Sequence, residues 1–584
     1  MLENALLLTA DASSRDDQRA GRLLGFFGVS FETCDIKDFV SRLSSVSEGG
    51  YRIVCSTHTF ASVMGELQSL ENRIGIAQQI HSVFLYSNGD VSGAAKLITQ
   101  ISGAKVSVAK PSKHDIDWQI ADGGDGMFGA MRGLHVCPAA ATLTHSSFFV
   151  VDENSASALI KATRQVAFLR VNWRGVPVFV ASERLIDINA ELKTSNFDIR
   201  DHFFSAVPFV SYVRWAFEQS SWNAPEPGAC LVIDDPLLKT RYGFLRFREL
   251  LALMKRAGFS TSIAFIPWNW RRSDPKVVKL FKDNRENYSL CIHGCDHTGG
   301  EFGISNQQRL RGIAREAISR MSLHEARTGL PHDRVMVFPQ GIFSEQAIAE
   351  LKHAGFNAVV NTEVHSTSSG PHQLKISDVW DVAVMNYASF PVYTRRYPAQ
   401  GIENLAFDLL LGKPCLIVVH HDFFSKGYAS LAEFINKLNA LKVPLTWCSL
   451  GEVVRRGYRQ KKLHSESVEV EMYGSELLIE NRSNQPLTYH VRRREKETHS
   501  IEGISADSDR LQWNINGDYV EFTVGVAAGA STLLKIDFKP VNGVMQSRHD
   551  LTHSLKTVAR RYLSEVRDNY LLPAKARMAA FSRS

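Results

Sequence analysis

Cys230-Leu231-Val232-Ile233-Asp234-Asp235-Pro236 and Ser289-Leu290-Cys291-Ile292-His293-Gly294-Cys295-Asp296-His297 are the two stretches whose reading decides the fold of this chain. Each is an apolar, strand-like run that ends abruptly in metal-ligand chemistry. The first ends in adjacent carboxylates. The second ends in two imidazoles four residues apart, a spacing that puts both on one face of a helical turn, where they can hold one divalent ion. A carboxylate from the other strand end supplies the third ligand, and the second aspartate stays free to act on water. Asp-Asp-Pro also suits a plain turn or helix start, because Asp accepts backbone N–H bonds and Pro fixes φ. A lone His pair can also be surface decoration. The co-occurrence favours a site, since both motifs fall at the C-terminal ends of buried strands, where α/β barrels place their active sites.

The chain supplies two further pieces in order. Met336-Val337-Phe338-Pro339-Gln340-Gly341-Ile342-Phe343-Ser344 follows a third apolar strand and opens a helix predicted over Glu345 to His353, stopped by Gly355. Cys415-Leu416-Ile417-Val418-Val419-His420-His421-Asp422 is a late apolar strand that ends in His-His-Asp. Over roughly residues 226–462 the sequence resembles the polysaccharide deacetylase family (NodB homology, carbohydrate esterase family 4). That family carries Thr-Phe-Asp-Asp-Gly, His-(Ser/Thr)-x-x-His, Arg-x-Pro-x-Gly and late Leu-x-His motifs. The matching residues are Asp234 and Asp235, then His293 and His297, then Pro339 and Gly341, and last His421 or His420. Pro236 replaces the family Gly, Gly294 replaces Ser or Thr, and Val337 stands where the family has the Arg that pairs with the base aspartate. Arg395 or Arg396 is the candidate replacement for that Arg.

The resemblance implies a distorted (β/α) barrel and the removal of acetyl groups from an N-acetylated sugar or polysaccharide. It implies a divalent metal, zinc, on Asp235, His293 and His297, with Asp234 as general base. The general acid is His421, with His420 as the rival, because neighbouring strand residues face opposite ways and only one can enter the barrel mouth. Pro339, Gln340, Gly341 and Arg395 are expected beside the substrate. Cys295 sits between the two histidines, at a position that is no ligand in the family.

An aromatic cluster adds a substrate hint. Trp268 and Trp270, in Ala264-Phe265-Ile266-Pro267-Trp268-Asn269-Trp270-Arg271-Arg272, follow an apolar strand between the metal motifs. Indoles make a floor for sugar rings, although one of them can equally be core.

The rest of the chain reads as further domains. Residues 1–205 begin with alternating strands and amphipathic segments, which predicts an α/β domain built on a parallel sheet, Rossmann-like or amidotransferase-like. No glycine fingerprint or nucleophile elbow accompanies it, so catalysis is not expected there. Residues 206–228 are expected as a linker, on the strength of Ser220 to Gly228. The barrel is expected over 229–462, with helices at Leu245 to Gly258 and Leu431 to Leu441. Strand-period alternation over 465–540 predicts a small β-sandwich. Residues 545–584 predict an amphipathic helix, apolar at 551, 555, 558, 562, 563 and 566, that docks on its own protein or offers a site for a protein partner.

Composition agrees with a globular enzyme. At 584 residues there is room for three or more domains, and the net charge of +6 is too small for that length to point to nucleic acid. No apolar run reaches the roughly 18 residues of a membrane span. Met1 to Asp11 carries an acid and no basic leader, so it reads as a first strand and no secretory signal is expected. Most cysteines (Cys55, Cys230, Cys291 and Cys415 among them) fall inside apolar runs, which suits reduced thiols and a cytoplasmic location. Two rival functions remain: a glycoside hydrolase on a related barrel, and a non-catalytic carbohydrate-binding or scaffold protein with a decayed deacetylase fold.

Overall fold

The structure, a computed structural model, describes residues 5–44, 50–74, 79–111, 116–123, 126–151, 156–367, 373–539 and 551–581. Seven strands, Gly228–Asp234, Thr261–Phe265, Tyr288–His293, Val335–Val337, Ala358–Asn361, Val392–Thr394 and Cys415–His420, form one parallel sheet. The last of them returns to pair with the first, and the short strand Thr446–Trp447 adds to the first as well. Beyond the sixth strand, Arg396 donates its backbone N–H to Leu416 at 2.9 Å and accepts one from Val418 at 2.9 Å. These bonds bring the two edges together, so the barrel is nearly closed.

Residue parity within the strands divides two cores. Cys230, Val232, Ala264, Cys291, Val337, Val360, Tyr393 and Leu416 fill the barrel interior. Their neighbours Leu231, Ile233, Ile263, Ile292 and Ile417 face the surrounding helices. Side chains alternate along a strand, so Asp234, His293, Arg395 and His420 continue the interior rows and arrive together at the C-terminal mouth.

The helices lie where their sequence signals put them. Phe247–Ala257 buries Phe247, Leu250, Leu253 and Met254, and stops at Gly258 with φ +65°. Glu345–His353 starts at Ser344, whose hydroxyl accepts the Ala347 N–H. Ala429–Asn439 begins two residues before the predicted start.

The N-terminal sheet is mixed rather than purely parallel. Phe31–Asp35, Ala5–Thr9, Tyr51–Ser56 and Ile80–Tyr86 are parallel, and Val176–Ala181 extends them in parallel. Antiparallel pairs through Gln165–Trp173 then complete the sheet. The expected linker needs correction. Phe203–Ala216 is a helix, buried along nearly its whole length. Arg214 in it donates to the Leu410 carbonyl at 2.8 Å and to that of Leu411 at 2.9 Å, which ties the helix to the barrel. The turn-rich composition of Ser220–Gly228 concealed the apolar run before it.

After the barrel, a five-stranded and a four-stranded sheet built from Arg459–Phe538 face each other across one apolar core. Residues 545–550 of the expected tail helix lie outside the described residues. From Leu551 the tail is helical to Phe581, with a π-helical turn at Arg567–Leu571. No described helix is long and apolar enough to cross a membrane.

Candidate active site

Asp234 is the last residue of the first strand and is almost fully buried. The Arg395 guanidinium binds it in a fork, with Nη1 to Oδ1 and Nη2 to Oδ2 each at 2.7 Å. Of the two arginines the sequence offered, Arg395 reaches the carboxylate. Arg396, one residue on and of opposite parity, pairs outward with Asp408 and with the Phe197 carbonyl. Burial acts to raise the Asp234 carboxyl, but Arg395, His293 and His420 together outweigh it and hold it below its ordinary value.

Asp235 turns away from its neighbour because its backbone sits at φ +80°, a region Asp tolerates better than most residues. Its Oδ1 lies 3.4 Å from His293 Nε2 and 3.0 Å from His297 Nε2. Burial would raise this carboxyl, yet the two imidazoles facing it hold it well below the usual range.

The two histidines do not share a helical turn, contrary to the spacing argument. His293 ends a strand and His297 follows in a loop, with Gly294 at φ +63° and His297 at φ +55°. The Glu301 carboxylate holds this loop by accepting the N–H groups of Cys295, Asp296 and His297. A Cβ at Gly294 would lie 2.3 Å from Glu301 Oε1 and 2.5 Å from Pro339 Cγ, which accounts for glycine at that position. Nothing in the sequence marked Glu301.

The donor set fits a divalent cation. Asp235, His293 and His297 each offer one ligand atom, all within 4.8 Å of one another, and no other such group occurs among the described residues. Asp235 Oδ1 is buried without a hydrogen bond. His293 Nδ1 faces the Val337 carbonyl at 3.0 Å, an arrangement that fixes the tautomer and leaves Nε2 for an ion. Two imidazoles and a carboxylate form the three-ligand pattern of open zinc sites.

The late histidines differ from expectation. His420 is in register with Asp234, and its Nε2 lies 3.8 Å from Asp234 Oδ2. Its ring stacks on Tyr397, with centroids 6.1 Å apart. His421 begins the following turn and is buried edge-on against Tyr242, with Nε2 3.6 Å from Asp568. Strand parity therefore sets His420 beside Asp234, whereas His421, just past the strand, lies under the tail against Tyr242 and Asp568.

Gln340 (φ +59°) and Gly341 (φ +71°) shape the turn beside the loop, and Asn361 donates to the Gly341 carbonyl at 2.9 Å. Pro339 is buried in that turn. Trp268 lies on the rim and Trp270 turns to Arg271, whose guanidinium sits 4.3 Å from its ring centroid.

The tail helix lies across this same rim, a placement the sequence did not reveal. Glu565 pairs with Lys239 and Arg272, Asp568 accepts the Tyr242 hydroxyl at 2.9 Å, and Asn569 accepts the Gly243 N–H at 2.7 Å. Tyr562 meets Trp268 edge-on at 6.2 Å. Arg561 is buried in the field of Asp235, Tyr242 and Asp568, with no partner at Nε.

No family model matches the sequence, and no curated protein matches it. Solved structures of the CE4 family are similar to it. A CE4 family pseudoenzyme from Bacillus anthracis is 12% identical, over 40% of this chain and 66% of its own, with a TM-score of 0.26. A Streptococcus mutans CE4 esterase is 14% identical over 38% and 87%, with a TM-score of 0.25. A family 4 acetyl xylan esterase from Clostridium thermocellum, solved with a cobalt ion, is 10% identical over 38% and 89%, with a TM-score of 0.25.

Proposed function

We propose that this protein is a metal-dependent hydrolase that removes acetyl groups from an N-acetylated sugar or polysaccharide. The observation that carries the reading is the Asp234–Arg395 pair standing beside a three-donor set, with His420 on its other side. Asp235, His293 and His297 would hold the ion, zinc by its donor types. A cation there supplies Lewis acidity, lowering the pKa of a bound water and polarising a carbonyl. Asp234, kept ionised by Arg395, takes the proton of the attacking water at Oδ2, the oxygen that faces His420. His420 then delivers a proton from Nε2 to the departing nitrogen, which leaves poorly as an unprotonated amine. Trp268 offers an apolar face to a sugar ring at the rim, and the turn at Pro339, Gln340 and Gly341 offers backbone groups to its hydroxyls. Six of the eight cysteines are buried and all are unpaired, which supports a reducing, cytoplasmic setting.

Zinc-loaded protein should release acetate from a panel of acetylated oligosaccharides and stop when the ion is chelated. Shortening of the oligosaccharides without acetate would instead favour a glycosidase. That class needs two carboxylates about 5–9.5 Å apart on opposite sides of the bond, whereas Asp234 is clamped by Arg395 and Asp235 by two imidazoles. The tail across the mouth favours a second reading, a carbohydrate-binding scaffold. Absence of acetate release from zinc-loaded protein, both whole and cut before residue 551, would select it.

A further inference from the structure

We propose that the outward face of the C-terminal helix docks on an anionic lipid surface. The helix is amphipathic, but it sits on the barrel by its polar side. Thr557, Arg561 and Asp568 are buried, and Glu565 is engaged by Lys239 and Arg272. At 3.6 residues per turn, these positions share one face. Leu555, Val558, Leu563, Val566 and Tyr570 gather on the opposite face and all are exposed, Leu555 to 70% and Leu563 to 68%. Eight of the twelve large apolar side chains exposed among the described residues belong to this one segment. Single exposed apolar residues are ordinary on a protein, whereas a contiguous stripe of them marks a contact surface.

Charge identifies the occupant. Both acids of the helix, Glu565 and Asp568, are consumed against the barrel rim. Lys556 and Lys575 are exposed along the outward side, whereas the Arg560 guanidinium turns to Gly299 at the rim and Arg567 pairs with Asp568. The outward surface therefore combines apolar groups with cations alone. A convex helix with an apolar stripe and a basic flank is suited to lie in the interface of a bilayer with acidic headgroups, where the side chains enter the acyl boundary and the cations meet phosphates. A second protein chain would have to supply an apolar groove edged with acids.

The experiment is co-sedimentation of the full chain with vesicles of phosphatidylglycerol and phosphatidylcholine, with phosphatidylcholine alone, and without vesicles. The expected result is binding to the anionic vesicles only, weakened by raised salt. The double variant Leu555→Glu/Leu563→Glu alters exposed positions and should lower the bound fraction by about tenfold or more, with the thermal midpoint unchanged. Lys556→Gln/Lys575→Gln should weaken binding less, and most at low salt. Ile515→Glu, at an exposed site on the β-sandwich, should bind as the parent does. Equal binding to neutral vesicles, no binding at all, or full binding by the leucine double variant would each overturn the proposal. So would a concentration-dependent dimer that the same leucine variant abolishes, since a second copy would then cover the face.

Discussion

Arg395→Met would leave Asp234 as a buried carboxylate with both of its guanidinium hydrogen bonds removed. The pair is bidentate at 2.7 Å, and each side chain is 3% exposed. Breaking a buried ion pair from one side costs roughly 3–5 kcal/mol, because the surviving charge stays desolvated. Each kcal/mol moves the midpoint of a domain of this size by about 2–4 °C, so the barrel transition should fall by about 6–20 °C. The pH dependence has a definite sign. The folded Asp234 carboxyl lies below its ordinary 3.8. Its contribution to stability is therefore complete above the unfolded value and is lost as pH falls through the folded one. In the variant, burial acts with Arg395 gone and the carboxyl rises. The two proteins should differ most near neutral pH and converge in acid. Hydrogen exchange of the barrel amides during thermal ramps of chelated protein follows this domain without assuming that the whole chain unfolds at once. Adding Asp234→Asn to Arg395→Met should recover part of the loss, since a neutral amide tolerates burial better. An unchanged midpoint at neutral pH, or a gap that widens in acid, would refute the argument.

His420→Ala should lower kcat by about 10² or more with metal content kept, whereas His421→Ala should keep turnover and loosen the tail; paired kinetics and metal analysis check the order, and the reverse pattern would restore His421 to the mouth. Gly294→Ser should destabilise the His297 loop and shed zinc, because Glu301 and Pro339 already fill the space; stoichiometric zinc in that variant would contradict the packing. Asp568 is buried, yet its contacts with His421, Arg567 and Tyr242 pull its carboxyl down to about 2. Its hold on the tail is therefore complete above the ordinary 3.8 and is lost as pH falls toward 2, so protease cleavage of the tail should accelerate in that window and not between pH 5 and 8.

The barrel was legible because apolar strands ending in Asp-Asp and in His leave few alternatives, and the candidate donors Asp235, His293 and His297 stand at or just past the same ends. The strand register was not legible. Leu416, Val418 and His420 share one face in any strand, but only the pairing of Asp234 with His420 shows that this face points inward. The tail's two faces were visible in its 3.6-residue period, but the period does not say which of them is covered. Here ion pairs and a tyrosine hydroxyl on the rim select the polar side. The histidine loop escaped because its shape depends on residues at positive φ and on Glu301, none of which leaves a periodic trace.

The Arg395-Arg396 dipeptide ties the candidate site to the N-terminal domain. One guanidinium grips the Asp234 carboxylate, and the next reaches across to the Phe197 carbonyl at 3.0 Å. Cutting the chain to residues 229–462 would remove that carbonyl and strand a buried donor one residue from the Arg395 that holds Asp234. A library that excised the barrel as a module would thus discard part of what positions Arg395 with the flanking sequence, and an inactive fragment would say little about the intact protein.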